Sequence, residues 1–284
     1  MRLDDDGDRA NVEDRRGSRF GGTGLKLGLG GTVVVLALSY FLKTDLFALL
    51  GQSPSVETSL PDSPAQDERR TAEAELEKLA AASFNDAQKV WTAELGRRRA
   101  EYRPARLVLF WDEVRSGCGD AAAAMGPFYC PADERVYLDL GFYRELETRF
   151  GAPGQFAQAY VVAHEVGHHL QNVLGIEAEV RAAQRRRPAA SNELSVRMEL
   201  QADCMAGIWG RSTGDRRLLD PGDLESGLGA AAAVGDDRVQ GATTGRVAPE
   251  SFTHGTSAQR VRWFRAGFES GRLEDCDTFA EASP

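Results

Sequence analysis

The 284-residue sequence has few of the residues that build most metal sites, with only four cysteines and four histidines. No two cysteines form a Cys-x-x-Cys pair, so a thiolate zinc site has no basis here. An excess of basic residues is also missing. The formal net charge is −9 and the sequence pI is about 5.1, which argues against nucleic acid as the main partner. No internal repeat is visible, so solenoid and array architectures drop out. A spanning helix takes about 20 apolar residues. The uncharged run Leu27–Leu42 is a little short of that. Hydrophobic residues still make up 42% of the chain, enough for one folded domain of ordinary core size with an appendage.

The histidines are concentrated in one place. His164-Glu165-Val166-Gly167-His168-His169 reads H-E-x-x-H. On a helix, side chains four apart share a face, so His164 and His168 can aim their imidazoles at one zinc ion. Glu165, one position round the helix, can act as general base towards a water at that metal. No proline occurs from Phe156 to Leu174, and Val162, Val166, Leu170 and Val173 recur at helical spacing beside the histidines. Gly175 ends the predicted helix. Gly167, inside it, costs roughly 1 kcal/mol relative to alanine. The expected return is room for another backbone or a substrate near the metal.

A catalytic zinc takes three protein ligands and leaves one position open. The metzincin continuation would place glycine and histidine soon after His168. The chain gives Gln171-Asn172-Val173-Leu174-Gly175 instead. The third ligand is sought in Glu199-Leu200-Gln201-Ala202-Asp203, on a predicted helix from about Asn192 to Trp209 with Val196, Leu200, Cys204 and Ile208 as its apolar stripe. Glu199 is assigned to the metal. Asp203, one turn on, is assigned to accept the second ring N–H of a ligand histidine.

Together with Ser251-Phe252-Thr253-His254-Gly255-Thr256-Ser257-Ala258-Gln259-Arg260 and the segments Ser116–Gly119 and Gly126–Pro131, these motifs resemble a bacterial family of neutral zinc metallopeptidases, membrane-anchored and gluzincin-like. The resemblance runs from about Arg70 to Phe279. It implies an exported α+β, zincin-like domain, mainly helical with a small sheet, that binds Zn²⁺ and hydrolyses peptide or protein substrates. It also implies one N-terminal transmembrane helix. His254 is expected either to donate a hydrogen bond to the oxyanion of the reaction or to bond a helix end structurally. Arg260 could share that role or pair with an acid. The competing reading is a non-catalytic binding or assembly factor of the cell envelope, and the intact Glu165 favours the enzyme.

The chain divides on this reading into a cytoplasmic tail (1–26), a transmembrane segment (27–50), a flexible stalk (51–70) and the metallopeptidase domain (71–284). A cleaved signal peptide is the rival for the apolar stretch, but the long polar lead-in counts against it. Arg9, Arg15, Arg16, Arg19 and Lys26 precede the stretch, and Lys43 alone stands between it and Arg69. The positive-inside rule therefore puts the N-terminus in the cytoplasm and the domain outside, as a single-pass protein of the cell membrane. On that outer side cysteines can pair. Cys118–Cys130 is preferred, because both lie in Gly/Pro-rich turns around a short hairpin, and Cys204–Cys276 remains. Free thiols are the alternative.

Helices are also expected over Thr71–Glu94, near Asp223–Val234 and from about Thr256, where Thr256 and Gln259 match a capping box. Leu107–Trp111 reads as a strand, and Phe128–Cys130 with Arg135–Leu140 as a hairpin. Arg135–Leu140 is the candidate for an edge strand that pairs with substrate.

Overall fold

The structure is a computed structural model and describes residues 1–3, 8–16, 64–122 and 125–281. The fold is mixed and mostly helical, with a small sheet, as expected. The element order is β1 (Val12–Asp14), α1 (Pro64–Arg97), β2 (Arg106–Phe110), β3 (Glu113–Ser116), β4 (Gly119–Ala122), β5 (Phe128–Cys130) and β6 (Arg135–Asp139). There follow α2 (Gly141–Thr148), α3 (Gln155–Val173), α4 (Ile176–Arg186), α5 (Ser191–Asp215), α6 (Asp223–Ala233), α7 (Asp236–Thr244) and α8 (Ser257–Ser270).

The main sheet has the order β1-β2-β6-β5, with β1, β2 and β6 parallel and β5 antiparallel to β6. Its strands obey the two-residue alternation of pleated backbone. Leu107, Leu109, Val136 and Leu138 face the core that also holds Phe84 and Trp91 of α1 and Val162 and Val166 of α3. Val108, Phe110 and Tyr137 face a smaller cluster with Val114, Ala121 and Cys130. Both faces of β2 and β6 are thus covered, which accounts for their nearly continuous apolar sequence.

Helices α3, α5 and α8 carry side chains of the candidate site, and glycines let them pack closely. A Cβ on Gly167 would stand 3.0 Å from the Ala202 carbonyl oxygen, so α3 and α5 approach there almost backbone to backbone, the room expected for this glycine. A Cβ on Gly267 would overlap the Cys204 carbonyl, which sets the same close approach between α8 and α5. Both preferred disulfides are formed, Cys118–Cys130 beside the β5–β6 hairpin and Cys204–Cys276 between α5 and the C-terminal segment. The capping box at the start of α8 is present, with the Thr256 side chain accepting from the Gln259 N–H.

Three expectations are corrected. Arg135–Leu140 is not an edge strand: β6 lies between β2 and β5, and β5 is the edge strand on that side of the sheet. The hairpin was legible, but which arm met the rest of the sheet depended on β2, a distant partner. The first part of the expected tail 1–26 is not separate from the domain, because Met1–Gly17 forms one compact unit with Thr71–Pro284. β1 pairs in parallel with β2, Val12 opposite Leu107 and Asp14 opposite Leu109. Three residues are too few to show strand periodicity. The stalk 51–70 is also shortened, since α1 begins at Pro64. The proposed transmembrane segment 27–50 lies outside the described residues. Among the described residues, no helix is long and apolar enough to cross a membrane.

Candidate metal centre

His164 and His168 sit one turn apart on α3, and Glu199 faces them from α5 across the close contact at Gly167. One ligand atom from each of the three lies within 4.8 Å of the others. His164 Nε2 is 3.1 Å from one Glu199 oxygen, and His168 Nε2 is 3.4 Å from the other. Ligands about 2.0–2.1 Å from a tetrahedral zinc stand about 3.4 Å apart, so the donor set and its spacing fit zinc. Among the described residues this is the one group of such side chains that could hold a metal ion.

The charges tell the same story. Burial alone would lower the His168 pKa, yet the facing Glu199 carboxylate overrides it and raises the value to about 10. Burial also works against a charged His164, and Asp203 with Glu199 raises its pKa nonetheless. Burial pushes Glu199 up, but the two histidines hold it well below the usual carboxylate range.

Asp203 lies behind His164. His164 Nδ1–H donates to its Oδ1 at 2.9 Å. The same carboxylate accepts two bonds from Arg260, Nε at 2.8 Å and Nη2 at 2.9 Å, and one from the Tyr160 hydroxyl. Of the two roles considered for Arg260, the structure shows pairing with an acid, deep in the core at 3% exposure.

The remaining histidines differ in kind. His169 is fully buried, with Nε2–H donating to the Arg103 carbonyl at 2.6 Å and Nδ1 accepting from the Tyr129 hydroxyl at 3.0 Å. Burial lowers its pKa. The Tyr129 bond ties the edge strand β5 to the histidine helix. His254 is half-exposed, and Asp236 organises it. One Asp236 oxygen accepts the backbone N–H groups of Thr253, His254 and Gly255 at 2.8, 2.6 and 3.0 Å. The other lies 3.2 Å from His254 Nδ1, and this hydrogen bond raises the histidine pKa.

His164, Glu165, His168, Glu199, His254, Asp236 and Arg260 all line one cavity of about 830 Å³, with Phe128 and Tyr129 of β5 on its wall. Sequence reading missed Asp236. Its one signal was its place just after Gly235, at the start of α7. It missed Gln171 too, although three residues after His168 is helical spacing for a contact.

The comparisons agree with this geometry. Residues 1–279 match the family described as "Putative neutral zinc metallopeptidase". The chain is 46% identical to the Escherichia coli K12 protein named "Uncharacterized protein YpfJ", over 96% of both chains. It is also 46% identical to "Uncharacterized protein Rv2575" of Mycobacterium tuberculosis H37Rv, over 71% of this chain and 70% of that one. No solved structure matches. A match that spans nearly the whole chain places this protein in the neutral zinc metallopeptidase family, and the three side chains that could hold a metal ion lie on two adjoining helices.

Proposed function

We propose that the protein is a zinc-dependent endopeptidase in which His164, His168 and Glu199 hold the metal and Glu165 is the general base. The observation that carries the reading is the gathering of Glu165 and the three ligand side chains on the wall of one cavity large enough for a peptide segment. A zinc at this site supplies a Lewis acid and lowers the pKa of a water towards 7. Glu165 takes the proton from the attacking water and passes it to the leaving amine. Asp203 keeps the proton of His164 on Nδ1, so that Nε2 points a lone pair at the metal.

His254 donates to the oxyanion from Nε2 while Nδ1–H is held by Asp236. The raised pKa favours the doubly protonated ring that this needs. An extended peptide joins the free edge of β5 by strand pairing, a role the sequence reading had given to β6. Attachment to the cell membrane through the apolar stretch in 27–50, and action outside the cytoplasm, belong to the same proposal. The uncharged run Leu27–Leu42 and the two disulfides support them.

The test compares wild type with Glu165→Gln on a peptide library, with zinc content measured in both. The expected result is equal zinc and hydrolysis by wild type alone. Equal hydrolysis by both would refute the mechanism. No hydrolysis by either would favour the binding or assembly factor.

A further inference from the structure

Gln171 is a fully buried polar side chain to which the proposed mechanism gives no role. Its Oε1 lies 2.9 Å from His168 Nδ1. Its Nε2 donates to the Met198 carbonyl at 2.8 Å and to Gln201 Oε1 at 3.0 Å. Gln201 Nε2 in turn donates to the Cys276 carbonyl at 3.0 Å. The polarity of this chain has one solution. Backbone carbonyls only accept, so the amide nitrogens of Gln171 and Gln201 must face Met198 and Cys276. The oxygen of Gln171 must then face His168, and His168 must carry its proton on Nδ1. That leaves the Nε2 lone pair for the metal.

We propose that Gln171 is a positioning residue for the metal centre. It fixes the tautomer and ring orientation of His168, and it does so against the backbone of Met198, directly before Glu199. One side chain thereby sets two ligands from two helices in register. The two histidines also receive different support, a carboxylate behind His164 and a neutral amide behind His168. The inference rests on the zinc reading above.

The test measures zinc affinity by chelator competition, and the visible spectrum after cobalt substitution, in wild type, Gln171→Leu, Gln171→Glu and Gln201→Met. Gln171→Leu should lose about 10- to 100-fold in affinity, and both Gln171 variants should shift the cobalt bands. Gln171→Glu keeps an acceptor for His168 but sets oxygens against the Met198 and Gln201 oxygens, so it remains informative if the leucine variant fails to fold. Gln201→Met leaves the Gln171 bonds to His168 and Met198 in place and should stay within about threefold of wild type. Wild-type affinity in Gln171→Leu, unshifted cobalt bands in Gln171→Glu, or an equal loss in Gln201→Met, would overturn the positioning role alone. A wild type that binds no zinc would overturn the zinc reading, and this inference with it.

A second inference rests on strand pairing. β1 precedes the apolar run Leu27–Leu42 and β2 follows it, yet they are neighbours in one sheet. Arg15 N–H donates to the Leu109 carbonyl and Leu107 N–H to the Asn11 carbonyl, each at 2.8 Å. Arg16 pairs with Glu77 on α1, and Asn85 Nδ2 donates to the Asp8 carbonyl at 2.9 Å. An open sheet cannot stand within a bilayer, because lipid leaves the backbone groups of its outer edges unsatisfied, so strands paired in one such sheet lie on the same side. We infer that residues 8–16 and the domain occupy the same side of the cell membrane.

Arg9, Arg15 and Arg16, which the positive-inside rule counts towards a cytoplasmic N-terminus, all form ion pairs with acids of this same unit. The disulfides indicate the outer side. Single cysteines at the exposed positions Asp8 and Glu147, introduced into the full chain, test this with a membrane-impermeant maleimide on intact spheroplasts. Matching reactivity, both labelled or both protected until lysis, is expected. Labelling of Glu147→Cys with Asp8→Cys protected until lysis would overturn the inference.

Discussion

Asp203→Asn separates two jobs that one carboxylate performs. The side chain is fully buried and accepts from His164, Tyr160 and twice from Arg260. The change keeps the volume and removes the charge, which leaves the Arg260 guanidinium buried without its counter-ion. Removing one partner of a buried pair costs about 3–5 kcal/mol. Domains are stable by only about 5–15 kcal/mol, so about a fifth or more of the total is at stake. At about 2–4 °C per kcal/mol for a domain of this size, melting should fall by about 6–20 °C. Zinc affinity should fall separately, by about 10- to 100-fold, because the histidine has lost its charged partner. Adding Arg260→Leu removes the orphaned charge. The double variant should recover most of the melting temperature and none of the zinc affinity. The assay is thermal denaturation in chelator beside zinc titration, for wild type, single and double variants. If the double variant melts as low as the single one, the orphaned charge is not the cause. If its zinc affinity also returns, Asp203 does not act through His164.

Glu199→Ala removes a direct ligand and should weaken zinc binding more than Asp203→Ala, in side-by-side titrations at one pH. His168 in the metal-free site has its pKa raised to about 10, so it holds a proton that zinc must displace. Zinc affinity should therefore rise with pH from 7 towards 10, by up to about tenfold per unit, with proton release visible by calorimetry in two buffers. Gly229→Ala, where nothing lies within 4 Å, should gain up to about 1 kcal/mol in denaturant unfolding, whereas Gly267→Ala should lose stability because α8 must back away from Cys204. Replacing both residues of Cys204–Cys276, 72 residues apart, should cost about 4 kcal/mol, against about 3 for Cys118–Cys130, 12 apart, in the same denaturant assay.

Local spacing carried much of this protein. His164, Glu165 and His168 were readable because helical geometry relates residues within one turn, and Thr256 with Gln259 were readable for the same reason. Glu199 and Asp203 were found by the chemistry a two-histidine site lacks, and their helix was set by its apolar stripe. The cysteine pairing followed from scarcity and from turns around a hairpin.

Other features belong to residues far apart in the chain. Arg260 lies 57 positions from Asp203, and no local rule distinguished its pairing from a role at the oxyanion. Asp236 sits 18 positions before His254, at a helix start where acids are common for other reasons. The free edge at β5 and the place of β1 beside β2 were decided by which backbone edges remained open once the sheet assembled. Backbone hydrogen bonding between strands is nearly blind to side-chain identity, so three residues such as Val12–Asp14 carry almost no sequence mark of their partner.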